Sequence, residues 1–175
     1  SNLADAEYTA GNTILSFNSD GFTCGDGASV NANGVDYVSW NWKANGAGSA
    51  NTDGSINTTY TSANTTAGFS IIKYAGTGSS GTIGHGLSAT PKVLIIKEID
   101  GTESWRVWHR DAPNYSTTAL SLNSSSAEFS QTNWIGTVDN SIITLGTDSS
   151  INTSGNNYIC YAFAEKQGFS KFSSY

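Results

Sequence analysis

Gly21-Phe22-Thr23-Cys24-Gly25-Asp26-Gly27-Ala28-Ser29-Val30-Asn31-Ala32-Asn33-Gly34-Val35-Asp36-Tyr37-Val38-Ser39-Trp40-Asn41-Trp42-Lys43-Ala44 is a glycine-punctuated polar run that ends in alternating apolar residues. It returns near the C-terminus as Ile143-Thr144-Leu145-Gly146-Thr147-Asp148-Ser149-Ser150-Ile151-Asn152-Thr153-Ser154-Gly155-Asn156-Asn157-Tyr158-Ile159-Cys160-Tyr161-Ala162-Phe163, at a constant offset of 121 residues and without a gap. Thr23/Thr144, Gly25/Gly146, Ser29/Ser150, Asn31/Asn152, Gly34/Gly155 and Tyr37/Tyr158 are identical pairs, and Trp40/Tyr161 and Trp42/Phe163 stay aromatic. Self-similarity at a fixed spacing is an architectural signal. Each copy reads as a strand, a turn and a second strand. Val38, Trp40 and Trp42 alternate with Ser39 and Asn41, the two-residue period of a pleated strand, and the copy puts Ile159, Tyr161 and Phe163 on the matching face. Asn-x-x-Gly between them suits a reversal, because Asn bonds its own backbone and Gly accepts positive φ.

The rest of the chain extends this reading to an all-β protein. Of 175 residues only 13% are charged, below the ~25% of ordinary globular chains, while glycine numbers 19 and proline 2. Serine, threonine and asparagine take the place of lysine and glutamate at the expected surface. Aromatic residues at 11% supply core-formers that disordered chains lack. Phe69-Ser70-Ile71-Ile72-Lys73-Tyr74 alternates as a strand, and Val93-Leu94-Ile95-Ile96-Lys97 is apolar throughout, as in a central strand covered on both faces. Trp105-Arg106-Val107-Trp108-His109-Arg110, Thr118-Ala119-Leu120-Ser121-Leu122 and Gly168-Phe169-Ser170-Lys171-Phe172 read as further strands, and Trp134 and Ile135 as isolated anchors. No segment sustains a helical stripe over ~11 residues. The expected fold is a β-sandwich, jelly-roll or concanavalin-like, of short antiparallel strands. Residues 68–175 are expected to form one complete sandwich repeat. Residues 45–67, poor in apolar side chains, read as a linker or surface crossing, and residues 1–44 as the closing part of a preceding repeat.

Charge and motifs narrow the function classes. A net charge of −6 and a pI near 4.6 argue against a nucleic-acid partner. No apolar run approaches the ~18 residues of a membrane span, and residues 1–15 do not read as a signal peptide. Cys24 aligns with Leu145 and Cys160 with Ser39, so both read as small core hydrophobes and not as a bridge. His85, between two glycines, and His109 are the only histidines, and neither has metal-ligand spacing. The aspartates fall mostly in turns and show no paired spacing for glycoside hydrolysis. Asn18-Ser19-Asp20-Gly21 lacks the downstream glutamate of a calcium loop. The glycines at 76–81 lack the Lys-Ser/Thr of a phosphate loop and precede a strand. No cofactor is expected. Trp105, Trp108 and Trp134 are the candidate glycan or receptor contacts, because an exposed indole stacks on a sugar ring; core packing is the competing reading of the same residues.

Several blocks together resemble a known family. They are Trp40-Asn41-Trp42-Lys43-Ala44, Gly68-Phe69-Ser70-Ile71-Ile72-Lys73-Tyr74, Gly84-His85-Gly86-Leu87 with Pro91 and Ile95-Ile96-Lys97, and Trp105-Arg106-Val107-Trp108-His109. Tyr158-Ile159-Cys160-Tyr161-Ala162-Phe163-Ala164-Glu165 follows, with Gly168-Phe169-Ser170-Lys171-Phe172-Ser173-Ser174-Tyr175. In order and spacing they resemble a tandem-repeated β domain of tail-fibre and other virion structural proteins of tailed bacteriophages, especially marine ones. The resemblance implies a non-enzymatic virion part, a longer native protein, and no catalytic set. The expectation is a tail-fibre or surface-decoration module on the virion surface that contributes to host attachment. Its expected partners are copies of itself, a trimer being favoured, other virion proteins and a host-surface polysaccharide. A lectin-like carbohydrate-binding module is the alternative, and a polysaccharide depolymerase a third reading.

Overall fold

The computed structural model describes residues 4–173. The chain forms two compact units, one from Glu7 to Trp42 and one from Lys43 onward.

In the first unit β1 (Ile14–Phe17) pairs antiparallel with β2 (Phe22–Cys24), and the one-turn helix α1 (Ala28–Asn31) follows. The remaining strands belong to the second unit: β3 (Tyr60–Asn64), β4 (Phe69–Ala75), β5 (Gly81–Gly84), β6 (Val93–Glu98), β7 (Arg106–His109), β8 (Thr118–Ser121), β9 (Phe129–Ser130), β10 (Ile135–Val138), β11 (Ile142–Leu145) and β12 (Asn157–Phe163), with the one-turn helix α2 (Ser149–Asn152) before β12. All pairings are antiparallel. Seven strands make one sheet in the order β3-β4-β12-β6-β7-β8-β9, and three make a second in the order β10-β11-β5. The fold is the expected all-β sandwich.

Alternation decides which side chains enter the core. Ile72 and Tyr74 of β4, Leu94 and Ile96 of β6, Trp108 of β7, and Tyr158, Cys160 and Ala162 of β12 point to one face of the large sheet. They meet Ile83, Ile135, Val138, Ile143 and Leu145 from the small sheet, with Trp134 and Ile151 at the margin. Each fully buried large aliphatic contributes roughly 1.5–3 kcal/mol. The opposite face of the large sheet carries a second cluster, in which Phe69, Val93 and Phe163 pack with Ile71, Ile95, Val107, Tyr161 and Phe172. The Phe69 and Phe163 rings lie 5.0 Å apart, and Phe163 and Phe172 5.9 Å apart. β6, apolar in every position from Val93 to Ile96, is therefore central in order and apolar on both sides, as its composition predicts.

Three expectations need correction. Residues 45–67 are not a linker. They supply edge strand β3, the bridge of Ser49 to Thr61, and the buried Thr58. Small polar residues suffice there because the strand needs only backbone partners on one side. Gly168–Phe172 is not a strand but a turn closed by the Lys166–Ser170 bridge; Ser174 and Tyr175 lie outside the described residues. Finally, Val38, Trp40 and Trp42 do not form a strand, whereas the equivalent residues of β12 do.

The 121-residue match is nevertheless structural, and it reaches further upstream than the sequence match. β1 and β10 are equivalent strands, as are α1 and α2. Gly25 N–H donates to the Thr13 carbonyl at 2.6 Å, and Gly146 N–H to that of Trp134 at 2.5 Å. Gly27 N–H donates to the Asn12 carbonyl at 2.8 Å, and Asp148 N–H to that of Asn133 at 2.9 Å. The Asn31 side-chain amide donates to the Gly25 carbonyl at 3.0 Å, and that of Asn152 to the Gly146 carbonyl at 2.7 Å. The Tyr37 hydroxyl accepts from Ala32 N–H and donates to the Ala28 carbonyl, at 3.0 and 2.6 Å; the Tyr158 hydroxyl does the same with Thr153 and Ser149, at 2.9 and 2.8 Å. Gly34 and Gly155 both sit at positive φ (73° and 85°). A Cβ on Gly25 or Gly146 would overlap the carbonyl of Asn12 or Asn133. The identities thus mark hydrogen bonds, close approaches and a left-handed turn.

Candidate functional site

The expected platform of Trp105, Trp108 and Trp134 does not form. Trp108 is 1% exposed and Trp134 2% exposed, both within the core between the sheets. On β7 the pleat sends Trp108 inward, and Trp134 immediately precedes β10, which the sequence reading missed. Trp105 alone is half-exposed. Its N–H donates to the Asn123 side chain at 3.0 Å, before β7 begins.

A different constellation lines an open cleft of about 340 Å³ beside the far end of β7. Trp108, Arg110, Tyr115 and Ser116 border it on one side, and Gly136, Thr137 and Val138 of β10 on the other. Tyr115 stands edge-on to Trp108, with ring centroids 5.7 Å apart and planes at 87°. Asn114, at φ +56°, turns the chain so that Tyr115 comes back over Trp108, and Thr117 N–H closes that turn on the Asn114 carbonyl at 2.8 Å. Arg110 is anchored by a bond from its guanidinium to the Val138 carbonyl at 3.1 Å. The Trp108 indole N–H, buried at the cleft, has no partner within the protein. A buried donor without an acceptor costs on the order of 1–3 kcal/mol. Hydroxyls, a guanidinium and an aromatic edge are groups that hold a polyhydroxylated ligand. Sequence reading placed Asn114 and Tyr115 in a loop but had no signal for their return onto β7.

The titratable groups singled out in the sequence serve the fold. His85 is fully buried. Its Nδ1 accepts from Leu87 N–H at 3.2 Å and its Nε2 faces the Asp139 carbonyl at 3.3 Å. Burial lowers its pKa. His109 Nδ1 accepts from Asp111 N–H at 3.2 Å. The aspartates act as turn acceptors. Asp139 takes the N–H groups of Ser141 and Ile142, each at 2.8 Å, and Asp148 caps α2 through Ser150 N–H at 2.9 Å. Asp100 accepts from both the backbone and side chain of Asn157, which lowers its pKa. Cys24 and Cys160 are free thiols, and burial raises the pKa of Cys160, which packs as a core residue. Among the described residues, no group of three or more His, Cys, Asp and Glu side chains is placed to hold a metal ion.

A family model described as a domain of unknown function (DUF7483) matches residues 1–175, and the chain belongs to that family. No curated protein and no solved structure matches it.

Proposed function

We propose that this DUF7483 chain is a non-enzymatic structural module of a bacteriophage virion, of the tail-fibre or surface-decoration kind, contributing to attachment at the host surface. One observation carries the reading. The blocks that resemble virion β domains map onto β4, β6, β7 and β12, which adjoin one another within the large sheet. The resemblance therefore lies in the scaffold that copies of such a module share. A surface low in charge and rich in hydroxyl and amide groups suits an extracellular particle. The apolar cluster on the outer face of the large sheet gives neighbouring copies an apolar surface to pack on. A trimer is the assembly that this function favours, with other virion proteins as further partners. Light scattering of the purified chain at two concentrations tests the reading. A stable trimer at both is the expected result, and a monomer at both would count against it.

The cleft beside Tyr115 favours a second reading, a lectin-like contact with host-surface polysaccharide, which is compatible with the first. Glycan-array binding by the chain, lost in Tyr115→Ala and retained in Trp105→Ala, would support the cleft. Loss only in Trp105→Ala would move the contact to the start of β7. No helix among the described residues is long and apolar enough to cross a membrane.

A further inference from the structure

The first unit contains the same closing element as the second, yet it is open where the second is closed. Its residues Ile14, Phe22, Cys24, Ser29, Val30, Tyr37, Val38 and Ser39 line an apolar concavity of about 270 Å³. At the 121-residue offset these correspond to Ile135, Ile143, Leu145, Ser150, Ile151, Tyr158, Ile159 and Cys160. All but Ile159 are buried in the second unit. Tyr37 is 47% exposed where Tyr158 is 0% exposed, although the two hydroxyls make the same pair of hydrogen bonds. Trp40 and Trp42 are exposed where Tyr161 and Phe163 lie half-buried and buried. The concavity is one half of a sandwich core.

The second unit shows what the other half is. There the strand equivalent to residues 37–42 lies between β4 and β6. Tyr158 pairs with Tyr74 and Glu98, Cys160 with Ile72 and Ile96, and Ala162 with Ser70 and Leu94. We infer that residues 37–42 are a closing strand for another sheet of this family, entering between two strands of the β4 and β6 kind. In the second unit the strands that are closed precede the closing element in the chain. The same order places the completed sheet N-terminal to residue 12 of the same polypeptide. This inference rests on backbone bonds and goes beyond the virion reading.

The two closing strands differ at their core-facing positions, and the difference is chemically specific. Ser39 replaces Cys160, and Asn41 replaces Ala162. Ser70, opposite Ala162, is fully buried with its hydroxyl unpaired. An asparagine in place of Ala162 would stand beside that hydroxyl. The sheet closed by residues 37–42 therefore carries a hydrogen-bonding side chain at the position equivalent to Ser70.

The test is a tandem polypeptide in which a second copy of residues 43–132 replaces residues 1–11, directly ahead of Asn12. The added segment contains β3 to β9 without its own closing element. Amide hydrogen exchange at residues 38–42 is compared between this polypeptide and the chain of 175 residues. The expected result is a rise in protection of about a hundredfold or more at 38–42 in the tandem, with parallel protection of the added β4 and β6 segments. A second tandem with Ser39→Cys and Asn41→Ala reproduces the core-facing residues of β12 and covers the case in which the polar pair alone prevents packing. Protection at 38–42 in either tandem upholds the inference. Unprotected amides at 38–42 in both overturn it, whether or not the added strands fold.

Discussion

Asn152 and Asn31 occupy equivalent positions, and truncating each separates the closed copy of the element from the open one. Asn152 is fully buried. Its amide nitrogen donates to the carbonyls of Ser79 and Gly146 at 2.8 and 2.7 Å, and its side-chain oxygen accepts from Thr77 N–H at 2.8 Å. It ties the 76–81 turn to α2 and to the end of β11. Asn152→Ala leaves three backbone groups without a partner where water has little access. At about 1–1.5 kcal/mol per lost bond, the expected loss is about 3–5 kcal/mol. That is a large part of the ~5–15 kcal/mol that stabilises an ordinary domain, and it lowers the melting temperature by roughly 10–20 °C. Asn31 makes only the equivalent of one of these bonds, to Gly25 at 3.0 Å, at an exposed site. Water replaces it, so Asn31→Ala is expected to cost about 0.5 kcal/mol or less. Urea titration of both variants, followed by far-ultraviolet circular dichroism, gives the comparison. Equal losses, or a loss below about 1 kcal/mol for Asn152→Ala, would refute the assignment of Asn152 as the buried tie.

Trp108→Ala is expected to cost about 3–5 kcal/mol, because it empties a core position, while Trp105→Ala at its half-exposed site costs about 1 kcal/mol; thermal melts of the two variants read the difference. His85 supplies a pH dependence of known sign. Burial lowers its folded-state pKa from 6.5, so the unfolded chain takes up the proton first. Its contribution is fully present above 6.5 and is lost as pH falls through 6.5 toward the folded value. Urea midpoints between about pH 7.5 and 5 should fall for the native chain and fall less for His85→Gln; identical slopes would remove His85 as the cause.

The sheet was legible where a side chain's chemistry and its place in the pleat agree. Ser70, Ile72 and Tyr74 against Phe69, Ile71 and Lys73 gave the two faces of β4, and the unbroken apolar run of β6 gave its central place. The offset of 121 residues was legible because each shared residue has a backbone task, such as the Tyr37 and Tyr158 hydroxyls bridging the ends of α1 and α2. The remainder depends on neighbours distant in sequence. β3 is an edge strand of small polar residues and carries no apolar stripe. Trp108 and Trp134 satisfy core and surface patterns equally, and only the small sheet opposite decides between them. Tyr115 reaches Trp108 through a loop whose path no periodicity describes. Residues 37–42 have the alternation of a strand but lack the flanking strands that β4 and β6 give to β12.

The central claim is that one closing element occurs twice, completed in one copy and open in the other. Amide hydrogen exchange on the chain of 175 residues, at low micromolar concentration, tests it directly. Residues 159–163, hydrogen-bonded to β4 and β6 on both sides, should exchange only through opening of the whole sandwich. Residues 38–42 should exchange near the rate of an unstructured peptide, despite the matched Tyr37 and Tyr158 bonds. Comparable protection of the two segments would contradict the account.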